Sequence, residues 1–226
     1  MKRALRFLVS LALAVILVSP AAAQVANDRS FQWYWGAQAG IFGYSTNTQA
    51  SAFDPIFGAH WLITAKRTAL YMAYEQAVFL TDARAVITDP SSTTSSVGAG
   101  FRDVSFSDLR RLMFGVVAFP LNRRIEPYVG GGFALMQVLN PIVDCSACVT
   151  QSEAFKAQSL AEDAASKAFF WMMGGFQLNK GRLALFGHYI VTSAAQGFLV
   201  EGTAHTIQGG LRYSLGTAKE AITERN

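Results

Sequence analysis

The sequence predicts an all-β protein: an eight-stranded, antiparallel, up-and-down transmembrane β-barrel that follows a cleaved signal peptide. Three observations carry this prediction. Segments of about ten residues after Ser30 alternate between apolar and small or polar positions. The connections between these segments alternate between short and long. The chain is 51% hydrophobic, yet beyond its leader it holds no apolar run long enough for a membrane helix.

The leader comes first. Lys2, Arg3 and Arg6 form a positive region, Phe7 to Val18 a short apolar core, and Ala21-Ala22-Ala23 a small-residue cleavage site before Gln24. This is the pattern of a secretory signal peptide over residues 1–23, and it places the mature chain outside a bacterial inner membrane. The apolar core is short for a bilayer span. No Cys stands at the cleavage site, so no lipid anchor is expected. Three of the 19 basic residues leave with the leader, so the mature chain carries 16 against 15 acidic ones. No basic run remains, and nucleic acid is not an expected partner. An exported chain this apolar is either a soluble β-rich domain with a large core or a transmembrane barrel. In lipid, only helices and closed barrels satisfy their own backbone groups.

The first strand, Phe31 to Tyr44, sets Phe31, Trp33, Trp35, Ala37, Ala39 and Ile41 against Gln32, Tyr34, Gly36, Gln38 and Gly40. The second, Ile56 to Ala65, sets Phe57, Ala59, Trp61 and Ile63 against Gly58, His60, Leu62 and Thr64. After a Lys66-Arg67-Thr68 turn, the third, Ala69 to Phe79, sets Leu70, Met72, Tyr74 and Val78 against Tyr71, Ala73, Glu75 and Ala77. The fourth lies within Val104 to Phe119, with its phase left open by the adjacent Arg110 and Arg111. Pro120 to Arg124 turns into the fifth, Glu126 to Leu139. The sixth, Phe169 to Leu178, turns at Asn179-Lys180-Gly181 into the seventh, Arg182 to Thr192. The eighth is His205 to Leu215. The remaining connections, Ser45–Pro55, Leu80–Asp103, Asn140–Ala168 and Ser193–Ala204, are long and polar. Short periplasmic turns and long extracellular loops belong to outer-membrane barrels. Trp33, Trp35, Trp61, Tyr128 and Tyr213, with Phe119 and Phe176, fall at one level, as an aromatic girdle requires.

On this pattern, on Pro127 to Gly132 and on the closing Gly209-Gly210-Leu211-Arg212-Tyr213-Ser214-Leu215 strand, the chain resembles the small eight-stranded outer-membrane barrels of the OmpA transmembrane-domain and OmpX kind. The resemblance covers Phe31 to Leu215. It implies a barrel over residues 24–216 and a location in the bacterial outer membrane. It also implies contact with outer-membrane lipid and lipopolysaccharide, and insertion by the barrel-assembly machinery. Such barrels often end on an aromatic residue that this machinery reads. Here a polar periplasmic tail, residues 217–226, follows instead, too short for a peptidoglycan-binding domain.

An eight-stranded barrel is narrow enough for side chains to fill. The inward faces carry Gln38, His60, Glu75, Gln137, His188 and Arg212, joined by Asp108 and Arg110 in one phase of the fourth strand. Buried charges must pair. Glu75 and Arg212 are therefore expected in one polar network that plugs the lumen. Cys145 and Cys148 sit in a long loop of an exported chain, where a structural disulfide is expected over a redox motif. Gln151 to Ala168 has the composition of a short helix over the barrel mouth. His188, Thr192, Ser193 and Glu201 raise an enzyme reading, because some outer-membrane barrels are lipid A deacylases. That family places its Ser two residues after the His, where this chain has Ile190. No metal cluster, phosphate loop or cofactor is expected. The reading is a non-enzymatic barrel with a structural or surface-interaction role through its long loops and an extracellular partner. A narrow pore for small solutes and a soluble lipocalin-like ligand-binding barrel are the alternatives.

Overall fold

The computed structural model describes residues 32–88, 100–121, 125–146, 148 and 150–217. The expected signal peptide, Phe31, the turn residue Asn122 and positions 218–226 of the expected tail lie outside the described residues. Eight long strands form the wall: β1 (Gln32–Ser45), β2 (Ala52–Ala65), β3 (Thr68–Thr88), β4 (Phe101–Ala118), β5 (Ile125–Leu139), β7 (Ser166–Lys180), β8 (Leu183–Thr192) and β9 (Glu201–Thr217). Each pairs antiparallel with its neighbours, and β1 pairs with β9, which closes the barrel. A two-residue β6 (Ile142–Val143) lies beside β4, and one helix, α1 (Gln151–Asp163), sits in the connection before β7.

The register fixes the shape. Trp33, Ile63, Leu70, Val116, Gly131, Met172, Val191 and His205 pair in succession round the wall, and His205 pairs with Gly43, ten residues above the start. With ordinary strand spacings, this stagger over eight strands tilts them by about 40° and leaves an interior that side chains can fill.

Alternation sorts the faces. On β2 the outward residues are Phe57, Ala59, Trp61 and Ile63; on β8 they are Leu183, Leu185, Gly187 and Tyr189. Several elements differ from expectation in their bounds; β2 begins at Ala52 and β9 at Glu201, each four residues earlier than expected. β3 and β4 run on together past the rim through Thr88 and Phe101, across an irregularity between Val78 and Ala83, so much of the expected 80–103 loop is a hairpin extension. Its free edge is covered by the β1–β2 connection. The Asn47 side chain donates to Val86 O at 2.6 Å and accepts from Val86 N at 2.8 Å, and Gln49 Oε1 accepts from Arg84 N at 3.1 Å. An amide imitating a strand removes the unpaired edge that invites aggregation. β7 begins at Ser166 rather than Phe169, so α1 ends earlier than the expected helix. Thr150 caps it, its Oγ1 accepting from Glu153 N at 3.3 Å.

The 193–204 connection is less polar in effect than its composition suggests. Phe198, Leu199 and Val200 are buried. They join Phe79, Phe106 and Val138 of the wall and Ala161 of α1 in one apolar cluster across the mouth. Leu199 N donates to Ala164 O at 3.2 Å, tying this segment to the end of the helix.

Candidate functional site: the filled lumen

The interior is built by pairing large side chains with glycines. A Cβ on Gly36 would collide with the His60 ring, one on Gly115 with Trp171 and the Gly131 carbonyl, and one on Gly210 with the Ala37 carbonyl and Phe186. Large and small positions must alternate where a barrel this narrow is filled. Trp171 uses the space beside Gly115 to donate its indole N–H to the carbonyls of Phe133 at 2.9 Å and Phe114 at 3.2 Å.

The polar interior falls into two clusters. In the upper one, the Arg111 Nε–H donates to Glu75 Oε2 at 2.6 Å, with both side chains fully buried. Gln38 donates its amide to the same carboxylate and bonds the Tyr71 hydroxyl at 3.3 Å. The Arg111 Nη1 reaches Thr206 Oγ1 at 3.1 Å and Thr192 Oγ1 at 3.3 Å. In the lower one, Arg212 donates from Nε to His60 Nε2 at 2.8 Å and from Nη1 to Gln177 Oε1 at 2.7 Å. Gln177 and Asn179 each donate to Glu126 Oε2 at 2.8 Å, so Arg212 reaches its carboxylate through an amide. The Phe186 ring lies 4.1 Å from the guanidinium carbon, within cation–π range. The Tyr128 hydroxyl bonds His188 Nδ1 at 2.9 Å, and His188 Nε2 bonds Gln208 Oε1 at 3.0 Å. The two clusters touch where the His60 and Tyr71 rings stack at 5.6 Å.

The structure therefore buries Gln38, His60, Glu75, His188 and Arg212, and corrects the rest of the expected set. Glu75 pairs with Arg111, not with Arg212. Arg110 is exposed on the outer wall, and Asp108 is half-buried near the rim, where Oδ1 accepts from Gln76 Nε2 at 3.4 Å. β4 changes phase between Phe106 and Leu109, both buried, so alternation read from either end misplaces one half. On β5 the phase is the reverse of that expected. Tyr128 is 1% exposed and belongs to the lumen, while Gln137 faces outward. A girdle position for Tyr128 would have put Glu126, of the same parity, into lipid. That conflict was visible in the sequence, as was the apolar series Val129, Phe133 and Leu135 on the opposite parity. Phe119 is also buried in the lumen. Trp33, Trp35, Trp61, Phe176 and Tyr213 are exposed on the outer wall. Trp35 pairs in register with both Trp61 and Tyr213 and meets the Trp61 ring edge-on at 5.8 Å.

The catalytic reading finds no geometry. His188 is enclosed between Tyr128 and Gln208, while Ser193 Oγ accepts from Phe170 N at 3.1 Å on the other side of the wall's alternation. Among the described residues, no group of three or more His, Cys, Asp or Glu side chains could hold a metal ion. Cys145 and Cys148 form a disulfide, with Cα atoms 5.0 Å apart, in the loop that follows β6. Beside it, Asp144 accepts from Ser146 N at 2.9 Å, which holds its carboxyl below the usual carboxylate range.

No protein-family model and no curated protein matches the chain. Among solved structures, it is similar to Neisserial surface protein A, with a TM-score of 0.53 and 12% identity over 80% of this chain and 96% of that one. It also aligns with the outer membrane protein OprG from Pseudomonas aeruginosa over 83% of this chain and 98% of that one, at 9% identity and a TM-score of 0.40, too loose a likeness to bear on the fold. The chain has the fold of the small eight-stranded outer-membrane barrels.

Proposed function

We propose that this protein spans the bacterial outer membrane as a sealed barrel. It neither catalyses a reaction nor conducts solutes, and it acts structurally or as an interaction platform through its extracellular end. One observation carries this reading: an outward apolar belt surrounds a lumen that is filled along its length. Below, Arg212, His60, Tyr128 and Gln177 interlock; above them, Glu75 pairs with Arg111; at the mouth, Phe198 to Val200 pack against α1 and the wall. The belt argues against the soluble lipocalin-like alternative, which would expose Trp35, Phe133, Met172 and Leu211 to water. Lipid and lipopolysaccharide contact the belt, and the barrel-assembly machinery inserts it.

The test is made on the exported chain in cells and on the refolded protein. Fractionation places it with outer membrane, boiling shifts its gel mobility, and planar bilayers containing it stay silent. Removal of Phe198 to Val200 leaves the polar lumen filled and the bilayers silent. Steady conductance from the wild-type protein would establish the narrow-pore reading instead, and recovery in the soluble fraction would end the membrane one.

A further inference from the structure

Outside the lumen, a groove of about 540 Å³ opens between α1 and the upper end of β5. One wall is Gln158 and Glu162 of the helix; the other is Gln137 and Ser166 of the barrel; Pro141 and Ile142 form an apolar side. Its acceptors are held in place before any ligand arrives. Gln158 donates its amide to Pro141 O at 3.0 Å and to Glu162 Oε1 at 3.1 Å. The Gln158 carbonyl oxygen and the second Glu162 oxygen remain as acceptors on that wall. Arg110 pairs in register with Gln137 and is exposed, so a cation stands beside the groove on the next strand.

The height of this groove is set by alternation. On β5 the outward series is Val129, Gly131, Phe133, Leu135 and then Gln137; on β4 it is Val116, Phe114, Leu112 and then Arg110. In both strands the polar residue is the first above the apolar belt. The groove therefore lies at the headgroup level of the outer leaflet. Fixed acceptors suit sugar hydroxyls, an apolar side suits the C–H face of a pyranose ring, and a guanidinium suits phosphate, with which it forms paired charge-assisted hydrogen bonds. From this juxtaposition we infer that the groove binds the phosphorylated saccharide headgroup of an outer-leaflet glycolipid, with its hydroxyls on Gln158 and Glu162 and its phosphate towards Arg110. The inference rests on the outer-membrane reading above, and it gives the extracellular end a ligand class.

The full mature chain is refolded into phosphatidylcholine vesicles, and flotation with a boiling-sensitive gel shift is read first. Failure at that stage counts against the membrane reading itself. Vesicles that pass are then doped with lipid A or with dephosphorylated lipid A. The expected result is a higher unfolding midpoint with lipid A and a smaller rise after dephosphorylation. The triple variant Arg110→Ala/Gln137→Ala/Glu162→Ala should keep the undoped midpoint and lose the rise. An acyl-free glucosamine disaccharide phosphate should bind the wild-type protein and bind Arg110→Ala about tenfold more weakly, the loss of one charge-assisted contact. The inference is overturned if lipid A stabilises wild type and triple variant equally, since acyl chains on the belt then explain the effect. It is equally overturned if phosphate removal makes no difference.

Discussion

The buried ion pair gives the sharpest test of how this lumen is held. Glu75 and Arg111 are fully buried and meet at 2.6 Å. Taking one charge from such a pair leaves the other unpaired, at a cost of about 3–5 kcal/mol. Glu75→Gln retains a carbonyl oxygen that can accept from Arg111, and Arg111 keeps its Thr192 and Thr206 contacts. Its cost should therefore lie near the lower end, about 3 kcal/mol. Arg111→Met strands the carboxylate with Gln38 as its remaining hydrogen-bond donor among the described residues and should cost about 4–5 kcal/mol. With both changes no charge is left to strand, so the double variant should be far better than the sum, with a coupling of about 3 kcal/mol. Among the described residues Glu75 and Arg212 share no hydrogen-bond partner, and Glu75→Gln/Arg212→Met should be additive to within about 0.5 kcal/mol. Urea unfolding in lipid vesicles, followed by tryptophan fluorescence, measures both cycles. A coupling near zero for Glu75 with Arg111, or a larger one for Glu75 with Arg212, would refute the division of the lumen into two clusters.

Four further outcomes follow from the geometry. Leu185→Arg and Leu211→Arg should each lose about 2–4 kcal/mol of folding stability in vesicles, since both face outward within the apolar belt; an unchanged urea midpoint would mean that the belt is not in lipid. Gly115→Ala should cost about 1–3 kcal/mol, because its methyl group meets Trp171 and the Gly131 carbonyl, and backbone cannot swing aside; a neutral effect in the same unfolding assay contradicts the described packing. Single-cysteine probes in a background lacking Cys145 and Cys148 should label at Gln158 and Gln196 but not at Lys66 or Lys180 when an impermeant reagent is applied to intact cells, and the opposite pattern inverts the topology. The Asp144 carboxyl, held down by Ser146 N–H, favours the ordered loop above the ordinary carboxylate range and loses that contribution as pH falls through its lowered value. Its carboxyl carbon resonance should therefore titrate below an ordinary aspartate, and an unshifted midpoint would mean that the turn is not formed in solution.

What the sequence determined by itself was the wall. Lipid and a filled interior sort side chains by polarity at every second position, so Trp33, Trp35, Trp61, Leu185 and Leu211 could be oriented without coordinates. The same logic oriented Gln38, His60, Glu75, His188 and Arg212. It failed where polarity was not a clean signal. On β4, two adjacent arginines follow a change of phase between Phe106 and Leu109, and on β5 a glycine run lies between Tyr128 and Phe133. Only the tertiary structure decided which inward residues meet. The ten-residue stagger and the tilt carry each strand's interior positions past those of strands far away in sequence, so Arg111 meets Glu75, Thr192 and Thr206 while Arg212 meets His60 and Gln177. Alternation along one strand contains no term for that stagger. The mouth was likewise decided in three dimensions. Phe198, Leu199 and Val200 read as part of a loop because their apolar partners, from Phe79 to Ala161, lie on other elements that closure of the barrel brings beneath them.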